Sequence, residues 1–568
     1  MKGAKIIIEC LIEQGVQHVF GYPGGAVLDI FDELYLAKDR INQIMTSHEQ
    51  GAAHAADGYA RVSGKTGVVI ATSGPGATNL VTGIATAYMD SIPVVAITGN
   101  VGLPLIGRDS FQEVDITGIT MPVTKHNFIV KDVKDLASTI RRAFEIAQSG
   151  RPGPVLIDVP KNIQQADCDF VNIPRATPKT SPLDKCATAQ LSNIAQLLKS
   201  CSKPLIYLGG GAVTSGANAE VIKLAETIGA PVTCSLMGLG GFPSSHPNAI
   251  GMIGMHGHKG VMKAVSECDA LIVLGARFSD RVMGNRETFA PNAKIVHIDI
   301  DPAEVGKNIQ PDEYITGDVK TILKKLYPLL DGMPSRGAGH WADKIANQQI
   351  AGSYECKCDL DPRLILQTIK KYSPPERVVA TDVGQHQMWT AQSYKFERPR
   401  TFVTSGGLGT MGFGMGASIG SCFGQAYGKK PNSKGETPYG KTVLITGDGS
   451  FHMNLNELAT ISKNNLPVKI FLLDNSVLGM VRQWQKLFYD RRFSSTTPTF
   501  PTRHDLLAKA FGIKYEKLES NDKVDEVVKR ALSHKKPVLI HCKISCDDNV
   551  LPMIPPGKGV KEIITDFE

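Results

Sequence analysis

Residues 441–475 read KTVLITGDGSFHMNLNELATISKNNLPVKIFLLDN. Two apolar runs, Val443–Thr446 and Lys469–Leu473, end in Gly-Asp-Gly-Ser and Asp-Asn and enclose a stretch of helical pattern. Continuous apolar strands separated by amphipathic helices mark a parallel sheet buried on both faces. The same alternation continues outward in both directions. Short β-branched runs recur at Val68–Thr72, Pro93–Thr98, Val155–Val159, Pro204–Leu208, Ala270–Leu274, Lys294–Ile300, Val378–Thr381 and Pro537–His541, with helical patterns such as Leu136–Ala147 and Val524–Leu532 between them. The class is therefore α/β.

A chain of 568 residues has room for about three or four domains of this kind. Ile173–Asp184, rich in Pro, Thr and Ser, and Asp331–Gly339, rich in Gly and Pro, read as linkers. They divide the chain into 1–172, 185–330 and 355–545, with a tail over 546–568; Gly424–Gly440 reads as a surface insert. A faint repeat at an offset of 375 relates Val68–Ile70, Gly74 and Asn79-Leu80 to Val443–Ile445, Gly449 and Asn454-Leu455. Chance likeness of two strand–turn–helix units is one account of it, a duplicated fold the other.

Composition narrows the function. Hydrophobic content of 42% and charged content of 21% are ordinary for a soluble globular protein, and a formal charge of +7 is small for the length. With no block of five like charges and no Arg-aromatic interleaving, nucleic acid is not an expected partner. The eleven scattered cysteines show no zinc spacing, so free thiols in a reducing cytosol are expected. An apolar helical pattern follows Met1 almost at once, without a signal or transit segment, and no apolar run reaches the ~18 residues of a membrane span. A cytoplasmic protein beginning at Met1 is expected.

Asp448 and Asn475 stand 27 residues apart, each at the carboxyl end of a strand, where α/β sheets bind ligands. One is an anionic oxygen donor and the other a neutral one, a pairing that suits Mg²⁺ with phosphate oxygens and water completing the octahedron. Gly449 permits close approach of a diphosphate, and a following helix with Asn454 and Glu457 as a capping-box-like pair would favour the anion. Taken alone, Gly-Asp-Gly is as readily a plain turn. With an Asn at this spacing it is specific to enzymes that use thiamin diphosphate. In Ser47–Ala53, Glu49 opens an alanine-rich helix; a helix-start charge is the plain reading. Thiamin chemistry supplies another: one carboxylate is needed against N1′ of the aminopyrimidine to stabilise the imino tautomer from which the reactive carbon is deprotonated.

Longer motifs carry a resemblance. Gly21–Ala26 (GYPGGA), Ser47–Arg61, Thr72–Asn79 (TSGPGATN), Phe111–Glu113, Lys125–Phe128, Arg151–Lys161 (RPGPVLIDVPK), Gly275–Val282 (GARFSDRV), Ser405–Gly414 (SGGLGTMGFG) and Gly479–Gln485 (GMVRQWQ) resemble, in order, the acetohydroxyacid (acetolactate) synthase large subunit. The resemblance runs from about residue 4 to 558. It implies three doubly wound parallel-sheet domains: pyrimidine-binding, central FAD-binding, and diphosphate-binding. It implies thiamin diphosphate, Mg²⁺ and a flavin without redox work. Glu49 takes the N1′ role, Gln112 and Gly25 lie near the reacting atoms, and Lys161, Arg281 and Trp484 complete the catalytic set. Pro75, Asn79, Gln385, His386, Met411, Gly449, Ser450, Gly479 and Met480 match cofactor-contacting positions, and Asp448, Asn475 and the Val477 carbonyl match metal ligands. Arg151, Met255, His256, Gly257, Arg277, Asp299 and Asp318 match flavin contacts.

The implied reaction decarboxylates pyruvate and condenses the hydroxyethyl carbanion with pyruvate or 2-oxobutyrate, giving 2-acetolactate or 2-aceto-2-hydroxybutyrate for valine, leucine and isoleucine synthesis. Arg281 can hold a carboxylate bidentately, and Trp484 can wall a pocket that rewards one extra methylene. The family also implies a homodimer or homotetramer with sites between subunits, and a small regulatory subunit. Five positions depart from its usual residues: Gly102 for Pro, Met415-Gly416 for Leu-Pro, His452 for Gln and Asp474 for Asn. A nicotinamide dehydrogenase is a weaker reading, since Gly407–Gly412 has the form GxGxxG but no strand-ended acid follows by ~20 positions. An FAD-independent catabolic acetolactate synthase generally lacks the Gln483-Trp484 motif, and glyoxylate carboligase lacks the glutamate.

Overall fold

The computed structural model describes residues 1–173, 185–333, 341, 345, 358–429, 439–498 and 501–566. Three six-stranded sheets form its frame. In spatial order, the first runs Asn42–Met45, His18–Tyr22, Gly67–Ala71, Val94–Asn100, Val155–Pro160, His126–Ile129. The second runs Glu313–Thr316, Lys294–Asp299, Ala270–Leu274, Pro204–Leu208, Val232–Cys234, Ala249–Met252. The third runs Phe402–Val403, Val378–Thr381, Thr442–Gly447, Val468–Asp474, Val538–Lys543, Lys514–Leu518. Adjacent strands pair in parallel, for example Ile70↔Ile97, Leu271↔Ile295 and Leu444↔Ile470. Helices cover both faces, so the central strands are buried along their whole length, which is why they read as unbroken apolar runs.

Counting strands within each sheet from the N-terminus, the first and third share one order, 2-1-3-4-6-5. Val68–Ile70 and Val443–Ile445 both fall on the third strand of their sheets. The faint repeat in the sequence is thus a repeat of topology. The second sheet has the order 3-2-1-4-5-6, read from the Ala249–Met252 edge. Its strand order reverses between Pro204–Leu208 and Ala270–Leu274, the place where doubly wound sheets hold dinucleotides.

The first and third sheets share one apolar core, in which Phe20, Ala56 and Leu80 join Phe413, Phe423 and Leu444. Its seam is the helix Glu49–Ser63 lying against the helix Phe413–Gly424. Small residues make the approach possible: a Cβ on Gly416 would meet the Gly51 carbonyl oxygen at 2.7 Å, and one on Gly420 or Gly58 would overlap the backbone of Ala55 or Ala417. At the end of the seam, buried Arg61 pairs with Asp57, with Asp90 (2.8 Å) and with the Thr404 carbonyl (2.8 Å). Burial alone would depress the guanidinium, but the two carboxylates hold it above its ordinary value.

The segment after Ser545, read from the sequence as a tail, packs back onto the domains. The Gln483 Nε2 donates to the Val550 carbonyl (3.0 Å), Ile554 N–H to Met255 (2.8 Å) and Asn285 N–H to Lys558 (3.0 Å), so it laces the third sheet to the second. Most of the linker Ile173–Asp184 and of Asp331–Gly339, and residues 430–438 of the insert, lie outside the described residues. Eight cysteines carry free thiols as expected, but Cys358 is disulfide-bonded.

Candidate active site

At the carboxyl end of the third sheet, the strand Thr442–Gly447 runs straight into the helix Asp448–Asn454, and the neighbouring strand Val468–Asp474 ends just before Asn475. Gly447 pairs with Leu473, so Asp448 and Asn475 emerge side by side. They line a cleft of ≈ 450 Å³ together with Gln385, His386, Met411, Gly449, Ser450, Val477, Gly479 and Met480. Every residue that the resemblance assigned to the diphosphate or the metal in this part of the chain is on that wall.

The cleft is polar in specific places. Asn475 Nδ2 donates to Gln385 Oε1 (3.0 Å), and its Oδ1 accepts the Val477 N–H (3.2 Å). Burial, reinforced by nearby Asp474, pushes the Asp448 carboxyl up to about 7. A cation there would relieve both effects. His386 is buried, which pushes it down to about 3, and its Nε2 has no hydrogen-bond partner. An unpartnered buried imidazole nitrogen costs stability unless a ligand satisfies it, and a phosphate oxygen would. A Cβ on Gly449 would meet Leu478 at 2.7 Å, and one on Gly479 would overlap Gln385, so the backbone comes close only with glycine at both. These features fit a diphosphate with a hard divalent ion.

One expectation fails here. Asn454 and Glu457 form no capping box: Asn454 donates to the Gly412 carbonyl (2.6 Å), while Glu457 reaches across the seam to accept Ser47 N–H and His48 N–H (3.1 and 3.0 Å). The helix that points its first amides at the cleft begins at Asp448 itself. Glu457 instead anchors the start of the helix that carries Glu49.

The first sheet supplies a second group of residues. Glu49 is 8% exposed, and its Oε2 accepts from Asn79 Nδ2 (3.0 Å). Pro75 opens the turn of helix leading to Asn79. Gln112 holds a left-handed backbone (φ 57°) and packs over Gly74, where a Cβ would meet its own at 2.9 Å. A non-glycine residue in that conformation is uncommon and carries backbone strain. The space above Gly25 is open, and its carbonyl accepts from Lys161 Nζ (3.2 Å). None of these residues lines the third-sheet cleft.

The flavin-type positions spread over the second sheet. His256 is buried, pushed down to about 4, with its Nδ1 unpartnered. Asp299, at a strand end, is raised to about 6 by burial and accepts the Asp301 N–H. Arg277 lends its carbonyl to Tyr207, and Gly257 N–H bonds to Gly254. Gly209 and Gly211 press against Gly275 at the strand-order reversal, with no room for a Cβ. Two assigned positions have structural partners already: Asp318 caps the helix Val319–Leu330, and Arg151 bridges Asp301 and Glu304 at 3.2 and 2.9 Å.

Arg281, from the second sheet's side, lies over the Trp484 ring at 5.5 Å, and its Nη1 contacts Met255 Sδ at 3.5 Å. By contrast, the glycine run Gly407–Gly412 is committed elsewhere: Gly406 and Gly407 N–H groups donate to Asp90 (3.1 and 2.7 Å). Sequence reasoning missed the Gln483–Val550 pairing, in which Gln483 also accepts the Val550 N–H (2.9 Å). The signal available was only that Gln483 is polar on an otherwise apolar helix face.

Residues 1–119 match a family described as thiamine pyrophosphate enzyme, N-terminal TPP binding domain; residues 191–326 match its central domain, and 382–542 its C-terminal TPP binding domain. The chain is 45% identical to a probable acetolactate synthase large subunit of Methanocaldococcus jannaschii, over 99% of this chain and 95% of that one. It is 44% identical to the acetolactate synthase isozyme 2 large subunit of Escherichia coli, over 99% of both, and 42% identical to an acetolactate synthase of Arthrospira platensis, over 98% and 96%.

Proposed function

The chain belongs to the thiamine pyrophosphate enzymes, as an acetolactate synthase large subunit, and on that premise we propose how its residues divide the work. It is a thiamin-diphosphate-dependent acetolactate synthase and the catalytic subunit of the biosynthetic kind. Bound thiamin diphosphate supplies the carbon nucleophile that takes a two-carbon unit from pyruvate, with loss of CO₂, to the carbonyl of a second 2-oxo acid.

The observation that carries the site assignment is the cleft at Asp448 and Asn475, with the unpartnered His386 nitrogen in its wall. Asp448, Asn475 and the Val477 carbonyl would hold Mg²⁺. Gln385, His386, Gly449, Ser450, Gly479 and Met480 would hold the diphosphate, and Met411 would set the cofactor's bend. Glu49, fixed by Asn79 and by the Glu457 anchor, would stand against N1′ of the aminopyrimidine and exchange a proton with it. Gln112 and the Gly25 amide would orient the reacting oxygen, with Lys161 steadying the Gly25 loop. Arg281 would hold the acceptor's carboxylate and Trp484 would contact its alkyl group, selecting between pyruvate and 2-oxobutyrate.

The second sheet's dinucleotide-type order, the tight glycines at its reversal point and the unpartnered His256 nitrogen support a bound FAD with a structural role. The separation of the Glu49 group from the lining of the Asp448 cleft supports a site completed by a second subunit, hence at least a C₂ dimer. The relatives' description as large subunits supports a small regulatory partner. No described helix is long and apolar enough to cross a membrane; the reading places the chain in the cytoplasm, serving valine, leucine and isoleucine synthesis. The test is direct. The purified chain with pyruvate, thiamin diphosphate and Mg²⁺ should yield 2-acetolactate, and release of acetaldehyde or acetate alone would overturn the reading. A yellow preparation would support the flavin.

A further inference from the structure

Beside the cleft, three elements bring Asp474, His504 and His541 together. Asp474 ends the strand Val468–Asp474, His541 lies on the adjacent strand Val538–Lys543, and His504 opens the helix His504–Ala510. One ligand atom from each lies within 4.8 Å of the other two. Asp474 Oδ2 and His541 Nε2 are 2.7 Å apart, and the His504 and His541 rings are 4.6 Å apart between centroids. His504 is only 7% exposed, yet its Nε2 has no hydrogen-bond partner.

The far sides of His541 and Asp474 are already fixed. His541 Nδ1 faces the Tyr515 hydroxyl (3.1 Å). Asp474 Oδ1 accepts Ser476 N–H (2.9 Å), Ser476 Oγ–H (3.1 Å) and Lys543 Nζ (3.2 Å). That leaves Asp474 Oδ2 and His541 Nε2 facing one another, with a ring nitrogen of His504 within 4.8 Å of both. Outer partners that fix the second nitrogen of an imidazole and the second oxygen of a carboxylate are the usual surroundings of metal ligands.

We propose that Asp474, His504 and His541 form a second divalent-cation site, for Zn²⁺ or an ion of its class, distinct from the Mg²⁺ position. Two imidazole nitrogens and one carboxylate oxygen are a borderline-soft donor set that suits Zn²⁺ and not Mg²⁺, which keeps to oxygen. Ligand distances of about 2.0–2.1 Å place tetrahedral donors about 3.4 Å apart. The His504 ring therefore swings inward and the Asp474–His541 contact opens. The proton shared in that contact leaves to solvent as the ion enters, and water takes the fourth position. Burial, with His541 beside it, holds His504 down at about 4, so it is neutral and able to ligate. The neighbouring basic groups are Lys543, on the opposite carboxylate oxygen, and His452, whose ring lies 5.9 Å from His504. The ion would clamp two strand ends and a helix one residue away from Asn475.

The test uses the full chain, stripped with a chelator and then saturated with Mg²⁺ and thiamin diphosphate, with Co²⁺ as the probe. One equivalent of Co²⁺ per chain should give visible absorption bands that Zn²⁺ displaces. His504→Gln should weaken Co²⁺ binding by at least about tenfold. Asp474→Asn, which keeps the side chain's shape, should do the same and serves if His504→Gln does not fold. Asp448→Asn should leave the bands in place. Absence of the bands at one equivalent, or bands lost in Asp448→Asn but kept in the His504 and Asp474 variants, would overturn the proposal.

Discussion

Arg281 and Trp484, 203 residues apart in the chain, form a cation–π pair: the guanidinium carbon lies over the indole, 5.5 Å from its centroid. Stacking of this kind fixes the plane of an arginine at a cost of little of its hydrogen-bonding capacity. The side chain stays largely exposed, with Asp280 at 3.7 Å and Met255 Sδ at 3.5 Å, and can still take an incoming carboxylate. The residue that would grip the acceptor and the residue that would measure its length are therefore one unit.

Trp484→Leu should keep acetolactate formation and lose most preference for 2-oxobutyrate. Burying one methylene gives about 0.8 kcal/mol, and close packing on an indole roughly doubles it, which amounts to about tenfold. Competition between pyruvate and 2-oxobutyrate measures this. An unchanged product ratio would assign the choice to another residue.

Arg281→Lys should slow the condensation with both acceptors alike, because an ammonium offers neither the planar fork nor the stack on Trp484. The ratio of products should stay near the parent's while kcat/KM falls by about tenfold or more, the loss of a bidentate charge-assisted pair. A variant as fast as the parent would remove Arg281 from the site.

Glu49→Gln keeps the shape and can still accept from Asn79, so melting should be unchanged. Activity should drop by more than about a hundredfold, in the range of a lost proton-handling group. Turnover near that of the parent would reject the role.

Mg²⁺ loading should depend on pH through Asp448. Its carboxyl is pushed up to about 7 in the metal-free chain, so a proton competes with the ion. Because the pKa is raised over the unfolded value, the penalty for ionising Asp448 is absent below about 4 and complete above about 7. Mg²⁺ relieves it where it is complete. Half-saturating Mg²⁺ should rise about fivefold from pH 7 to pH 6 and change little from 8 to 9. A flat profile would show that Asp448 is not protonated in this range.

Gly420→Ala should destabilise the chain by about 3 kcal/mol, at the upper end of overpacking, because its Cβ overlaps the Ala55 carbonyl, which has no freedom to move. Chemical denaturation reads this directly. A loss under about 1 kcal/mol would mean that the two helices can part without cost.

The central strands were legible because burial on both faces makes them continuously apolar. The edges were not. Asn42–Met45, His126–Ile129 and Glu313–Thr316 show only partial burial, and Phe402–Val403 is two residues long, so neither periodicity nor length marks them. In the site, Asp448 and Asn475 could be paired from strand ends alone. Glu457 was legible as a helix-start acid but not as the anchor of Ser47, 410 residues away, because local pattern carries no information about such partners. The same holds for the stack of Arg281 on Trp484.

The shared strand order of the first and third sheets has a consequence for how the chemistry came to be divided. Counting back 375 residues from Asp448 and Asn475 arrives at Ser73 and Asn100, at matching strand ends. Asn100 has its amide committed to Asp158 (2.6 Å), and Ser73 carries no charge. The third sheet has an acid at that strand end; the first has none there, and in the turn that follows Asn79 bonds a different carboxylate, Glu49 (3.0 Å). On the proposed reading, one copy of a shared strand order would grip the charged end of a molecule while the other, without an acid at that place, would face its reactive ring.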